Sequence, residues 1–410
     1  MFDVKEIRKD FPMLDGTKTI EGHPVVYFDN GATTLKPKQV IDAVVDYYSS
    51  YSANIHRGDY DLAYKADVAY NKARETVSNF IGAKTKEIVF TSGTTMSLNM
   101  IAYGYASKLQ EGDVILIDVT EHASNVLPWF NLAKTKGVKI EYIPLDEKGQ
   151  VTKENLKKVM SSKVKLVSVT QVSNVLGYIN DIKALASIAH EYNAVFVCDG
   201  AQSTPHMKVD VKDLDVDFFV FSGHKLCGPT GIGVLYGKYD LLENMDSMLL
   251  GGGMNNTFEK EGTFTYLPAP TKFEAGTPNI AGAIGLATAI NYIENIGLDN
   301  IALHERELKL YAVKRLLEEC PNVTIYNQDS PTGIIDFNIN DVPAQDAGSH
   351  YNHYGVCVRT GEHCAKLLDN FLKVKSTVRC SIYFYNTKEE IDTFIEATKE
   401  GGNFLDAFFN

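Results

Sequence analysis

The sequence predicts an α/β protein: a large domain on a mostly parallel seven-stranded sheet, then a small α+β domain at the carboxyl end. Three observations carry this expectation. The chain of 410 residues exceeds what a single hydrophobic core usually serves, so two cores are expected. Short apolar runs bounded by turn residues recur through the middle of the chain, separated by helix-length segments. Beyond a Gly- and Pro-rich passage, strands and helices continue as a smaller unit.

Taken in order, Val25 to Asp29 reads as a short strand ending in the turn cluster Asn30-Gly31-Ala32-Thr33-Thr34, and Pro37 opens a helix. A long helix is expected from Asp59 to Phe80, with Leu62, Ala66, Ala69, Ala73, Val77 and Phe80 on its inward stripe and Gly82 closing it. The sheet strands are expected at 87–90, 114–119, 140–144, 166–170, 195–198, 218–221 and 233–236. Residues 250–282 (GGGMNN, LPAP, EAGTPN) are too long and irregular for an ordinary connector, so a functional loop or domain crossing is expected there. A helix pair follows, stopped by Pro321, and then strands at 323–326, 334–339, 356–359 and 378–383 with intervening helices. Thr387 and Glu390 form a capping box that starts the last helix. The expected divisions are an N-terminal segment 1–25, a large domain 26–290 and a small domain 291–410.

Composition excludes several function classes. No apolar run is long enough to span a bilayer, and the N-terminus lacks the continuous apolar core of a secretory signal, so a soluble cytoplasmic protein without membrane contact is expected. A net charge of −12 with scattered lysines disfavours nucleic acid as a partner. Six cysteines without framework spacing read as reduced thiols. His350, His353, Cys357, His363 and Cys364 lie close in sequence, but a strand divides them and no Cys-x-x-Cys pair anchors them, so no metal site is expected.

In parallel sheets ligands bind beyond the carboxyl ends of the strands, and the polar residues of interest fall there. Lys225 follows the strand at 218–221 in Ser222-Gly-His224-Lys225, where burial can free its amine for covalent work on a carbonyl. Asp199 ends another apolar strand, with Gln202 just after it, and a carboxylate there needs either a cationic partner or a helix N-terminus. Thr94 and Thr95 stand between a strand and a helix, where backbone N–H groups converge on an anion. His122 follows a further strand and suits stacking, acid–base work or a structural role. Cys364 sits beside His363 and near Arg359, the setting of a reactive thiolate or of a half-buried structural thiol. Arg379 begins the next strand and suits a carboxylate.

Together these motifs resemble the class V aminotransferase-like enzymes, and within them the SUF-system cysteine desulfurases (SufS type, also called cysteine desulfurase/selenocysteine lyase). The resemblance runs through Tyr27–Thr34, Asn54–Gly58, Gly93–Thr95, Glu121-His122, Val172–Gly177, Asp199–Gln202, Ser222–Lys225, Glu274–Pro278 and Arg359–Cys364. It implies a fold-type I architecture and the cofactor pyridoxal 5'-phosphate (PLP), with Lys225 as its covalent anchor, Asp199 at the pyridine nitrogen, Gln202 at the phenolic oxygen and His122 over the ring. Thr94, Thr95, Ser222, His224 and a homodimer partner's copy of Thr277 would hold the phosphate. Asn30, Asn174, Arg359, Arg379 and the partner's copy of His56 would shape the substrate end. The implied activity takes sulfur from L-cysteine, and in some members selenium from L-selenocysteine, to a persulfide on Cys364, for a sulfur-acceptor protein of iron–sulfur cluster assembly. The chain departs from the pattern at Glu362, Pro343, Lys366-Leu367 and Gly253–Asn256.

Overall fold

The computed structural model describes residues 2–56 and 58–401; Arg57, inside the Asn54–Gly58 motif, lies outside them. Seven strands form the central sheet: β1 (Ile88–Thr91), β2 (Val114–Ile117), β3 (Lys139–Tyr142), β4 (Val164–Thr170), β5 (Val195–Asp199), β6 (Phe218–Ser222) and β7 (Gly233–Gly237). Their spatial order is β1-β7-β6-β5-β4-β2-β3. β7 runs antiparallel to both neighbours, and the other pairs are parallel.

Both faces of the sheet are covered, which is why most of its strands read as unbroken apolar runs. One face packs Leu98, Ile101, Trp129 and Leu132 against Val89, Ile115, Val197 and Leu235. The other receives Leu185 and Ile188 together with the helices α1 (Lys38–Ser50), α2 (Asp61–Phe80) and, further along the chain, Ile280–Ile296. β3 is the exception: it pairs only with β2 and leaves Lys139, Glu141 and Tyr142 exposed, as an edge strand does. The expected stripe on α2 is corrected at one position. Leu62 is 49% exposed, and Ala63 and Tyr70 join Ala66, Ala73 and Val77 on the buried side.

The Gly/Pro-rich passage forms an exposed hairpin, Asn255–Phe258 with Phe264–Tyr266, and the passage to the second core comes later. In the helix Leu298–Glu319, Ile301 belongs to the first core, whereas Leu308, Ala312 and Leu316 belong to the second. The second core lies against an antiparallel sheet of β8 (Val323–Ile325), β9 (Ile334–Ile339), β10 (Arg359–Gly361) and β11 (Thr377–Ser381), in the order β8-β9-β11-β10. Ile335, Phe337, Val378 and Cys380 point into that core. By the alternation of a strand, Asp336, Thr377 and Arg379 face the opposite way. The N-terminal segment joins the two units: Phe11 packs on Tyr292, Phe384 and Tyr385, and Arg8 pairs with Glu390 at 2.9 Å.

Candidate active site

The register of the sheet sets the site. Gly233 of β7 lies opposite Thr91 of β1 on one side and Ser222 of β6 on the other, so the carboxyl ends of β1 and β6 are level. Thr170 of β4 pairs with Asp199 of β5 in the same layer. A cavity of about 230 Å³ opens above these ends, lined by Thr94, Thr95, His122, Asn174, Asp199, Gln202, Ser222, His224, Lys225, Arg359, Cys364 and Arg379 among others.

At one end of the cavity, the helix Thr94–Gly104 presents its N-terminus. Thr94 N donates to Ser222 Oγ at 2.8 Å, and the two hydroxyls lie 2.8 Å apart. Thr95 Oγ1 meets Ser124 Oγ at 2.7 Å. Gly93, at φ +149°, allows this close approach; a Cβ there would sit 3.2 Å from Ser222 Oγ. Hydroxyls and free N–H groups at a positive helix end form an anion cup.

The middle of the cavity holds the titratable groups. Lys225 Nζ has no hydrogen-bond partner among the described residues. Burial pulls its ammonium down to about 8, with Asp199 and Cys364 opposing and Arg379 and Arg359 adding to the effect. Asp199 is buried and accepts from Ala201 N at 2.9 Å, and burial raises its carboxyl. The carboxylate is thus in need of a cation. His122 Nδ1 accepts from Ser124 N at 3.1 Å, which leaves the proton of the neutral ring on Nε2. Burial and then Lys225, Arg379 and Arg359 push that imidazole down to about 4. Gln202 Nε2 donates to Gly31 O at 2.7 Å.

The small domain closes the other end. Arg359 and Arg379 stand directly opposite each other on β10 and β11, two guanidinium groups without enough carboxylate between them. Arg379 is buried, donating to Asn174 O at 2.8 Å and Asp29 at 3.3 Å, while its Nε has no partner among the described residues. Such a pair attracts a substrate carboxylate. Cys364 is exposed at the cavity mouth, and its carbonyl accepts from Ala123 N at 2.7 Å, tying its loop to the His122 turn. Asn174 Nδ2 holds the neighbouring His363 O at 2.9 Å.

Three expected residues lie outside the cavity lining. Asn30 is buried, and its amide is engaged with Ser381 O, Tyr27 O and Asn386, so Gly31 and Ala32 form the wall instead. His56 and Thr277 are exposed, and His56 pairs with Asp67 at 3.3 Å. They occupy one side of the molecule: the His56 ring packs on Tyr70, whose hydroxyl donates to Glu274.

Several contributors were not legible as site residues. Glu274 accepts from Arg74, Tyr70 and Phe90 N at 2.7 to 2.9 Å, anchoring the loop that carries Thr277. Removing it as Glu274→Ala leaves Arg74 buried without its partner and is expected to cost about 3 kcal/mol or more, read as a lower urea midpoint. Lys36 Nζ, half-buried in the turn segment, donates to Thr33 Oγ1 and His224 O at 3.1 Å and fixes the backbone before Lys225. Glu121 is buried behind Asp199, accepting from Thr170 N and Asn125 Nδ2 at 2.6 Å; burial, Asp118 and Asp199 raise its carboxyl strongly. Its only signal in the sequence was a carboxylate next to His122.

Residues 26–394 match the aminotransferase class-V family. The chain belongs to that family. Members work with PLP, and this class V enzyme has the residues for it: the anion cup, an unpartnered Lys225, and buried Asp199 across the same cavity. A protein from Halalkalibacterium halodurans named "probable cysteine desulfurase" is 48% identical over 96% of this chain and 98% of its own length. A Staphylococcus epidermidis protein of the same name is 46% identical over 98% of each. Among solved structures, the apo cysteine desulfurase of Thermococcus onnurineus superposes with a TM-score of 0.91 at 40% identity, covering 97% of both chains. The cysteine desulfurase CsdA of Escherichia coli, in an S-sulfonic acid form, gives 0.91 at 36% identity, covering 98% of this chain and 99% of its own. No helix among the described residues is long and apolar enough to cross a membrane.

Proposed function

We propose that this class V enzyme is a cysteine desulfurase, which moves the sulfur of L-cysteine onto Cys364 as a persulfide and releases L-alanine. The observation that carries the reading is an exposed cysteine at the mouth of a cavity that also holds an unpartnered lysine, a buried carboxylate and two facing arginines. When bound, PLP supplies the electron sink that stabilises the charge left by removal of the substrate's Cα proton.

The chain's own residues do the rest. Arg359 and Arg379 orient the substrate carboxylate, which fixes the thiol toward the Cys364 loop. Lys225, whose neutral amine is within reach near neutral pH, takes the Cα proton. The Cys364 thiolate then attacks the substrate sulfur: an S–S bond forms, the C–S bond breaks, and its electron pair stays with the substrate carbon. That carbon takes a proton and leaves as alanine. His122, neutral with its proton on Nε2, is set to move a proton over the reacting centre.

We further propose that the enzyme acts as a homodimer in the cytoplasm, handing its sulfur to a SUF-system acceptor protein for iron–sulfur cluster assembly. Ile41, Val45 and Tyr48 on α1 and Leu62, Tyr64 and Val68 on α2 are exposed apolar residues that a second copy would cover. His56 and Thr277 lie on the molecule where a partner's cavity can receive them, which fits their absence from this chain's own cavity lining. The substrate handles used here, carboxylate and Cα, are shared by L-selenocysteine, which is therefore a further substrate. The test is incubation of the PLP-loaded enzyme with L-cysteine and a reductant. Alanine and sulfide in equal amounts support the reading; amino-group exchange with a keto acid, without alanine and sulfide, overturns it.

A further inference from the structure

A buried lysine that the steps above leave unused marks a contact between the two units. Lys309, on the helix Leu298–Glu319, is 2% exposed, and its Nζ donates to Asn327 O and Ser330 O at 2.9 Å and to Ser330 Oγ. None of these acceptors is charged; all three belong to the turn between β8 and β9, which the lysine braces from within. Burial pulls the ammonium down to about 7, with Asp329 and Cys380 opposing. The brace holds in either form: the ammonium donates to all three oxygens, and the amine donates to the two carbonyls and accepts from the hydroxyl.

That turn clasps the loop that follows β4. Asn327 Nδ2 donates to Leu176 O at 2.9 Å, Thr332 Oγ1 donates to Gly177 O at 2.9 Å, and Asp329 accepts from the Tyr178 hydroxyl. Three consecutive residues of the loop are thus each held. Asn327 is itself fixed, donating to Ile334 O and accepting at Oδ1 from Asp336 N, both at 2.9 Å. Gly177, at φ +67°, lies so near the turn that a Cβ there would sit 2.3 Å from Thr332 Oγ1.

The loop's own bonds carry this hold to the cavity. Ser173 N donates to Tyr178 O at 3.2 Å, Gly177 N to Ser173 O at 3.0 Å and Leu176 N to Ser173 Oγ at 3.1 Å, so residues 176–178 cannot shift without moving Asn174. Asn174 O is the shorter of the two contacts that orient Arg379, 2.8 Å against 3.3 Å to Asp29. Displacing it frees the guanidinium to turn. Val175, Leu176 and Tyr178 also pack with Ala365 and Leu368, just past Cys364.

We propose that Lys309, Asn327 and Thr332 are positioning residues for the substrate carboxylate: they fix the Asn174 loop, whose carbonyl aims the Arg379 guanidinium. None of the three lines the cavity, so they act on the substrate only through that loop. The proposal rests on reading Arg359 and Arg379 as the groups that receive the carboxylate.

The experiment titrates the PLP-loaded enzyme with L-alanine and, separately, with methylamine, following the cofactor's absorbance. Both ligands have the amine, L-alanine alone has a carboxylate, and neither has sulfur to lose. Thr332→Val and Lys309→Met are each expected to weaken L-alanine about five-fold or more and to leave methylamine unchanged, while Thr332→Ser matches the unaltered enzyme. The size follows because a hydrogen bond to a charged group contributes about ten-fold or more and is here loosened. Variants that load the cofactor are the ones compared, and two variants on different contacts keep the test decisive if one fails to fold. Unchanged L-alanine affinity in either cofactor-loaded variant overturns the proposal. So does an equal loss for methylamine, the mark of a disturbed fold, or a Thr332→Ser enzyme as weak as Thr332→Val. Arg379→Gln tests the reading beneath: it should weaken L-alanine and spare methylamine. If it binds L-alanine as tightly as the unaltered enzyme, the carboxylate reading itself fails, a result separate from those at Thr332 and Lys309.

Discussion

A Lys225→Ala enzyme is expected to lose both its covalent hold on PLP and its turnover. Borohydride reduction of the unaltered enzyme should fix the cofactor to the peptide containing Lys225, and the variant should show no such adduct. The loss of cysteine turnover should reach about 10³-fold or more, since a positioned base alone contributes about 10² to 10⁴. The expectation follows from position. Lys225 lies directly after β6, its amine is unpartnered, and its neutral form is favoured by burial and by Arg379 and Arg359. Among the described residues no other lysine lines the cavity, so none of them replaces it there.

Cys364→Ser has a different signature. Serine preserves the loop, whose carbonyl remains tied to Ala123 N, so PLP binding should persist. Lys225 is intact, so exchange of the substrate's Cα proton with deuterated solvent should continue, measurable by mass spectrometry of recovered cysteine. Alanine formation should fall by about 10³-fold or more, because a hydroxyl is a poor nucleophile at neutral pH and cannot hold a persulfide. Loss of proton exchange along with alanine would instead assign Cys364 to an earlier step.

The parts of the fold most legible in sequence are those where one physical cause dominates. The interior strands from β4 to β6 are buried on both faces and write unbroken apolar runs, and Thr387 with Glu390 forms the expected capping box. β3 spans Lys139–Tyr142 and not the expected 140–144, because an edge strand need not be apolar. Leu62 faces solvent because α2 begins at Asp61 and turns Ala63 inward. The cavity residues Lys225, Asp199 and Thr94 were legible because a parallel sheet gathers the ends of its strands at one edge. The clasp on the Asn174 loop was not, since Lys309, Asn327 and Thr332 come from a helix and a turn far along the chain and meet the loop only in the fold. Asn30 shows the converse: a polar residue in a site motif whose amide is taken up by Ser381 O and Asn386 Oδ1, far along the chain, instead of facing the cavity.

The most direct test of the central claim is a single turnover with L-cysteine radiolabelled at sulfur, in the absence of reductant. The account predicts one alanine per subunit and the label on the Cys364 peptide, released by a thiol reductant. Alanine formed without label on Cys364, or a keto acid formed in place of alanine, would contradict it.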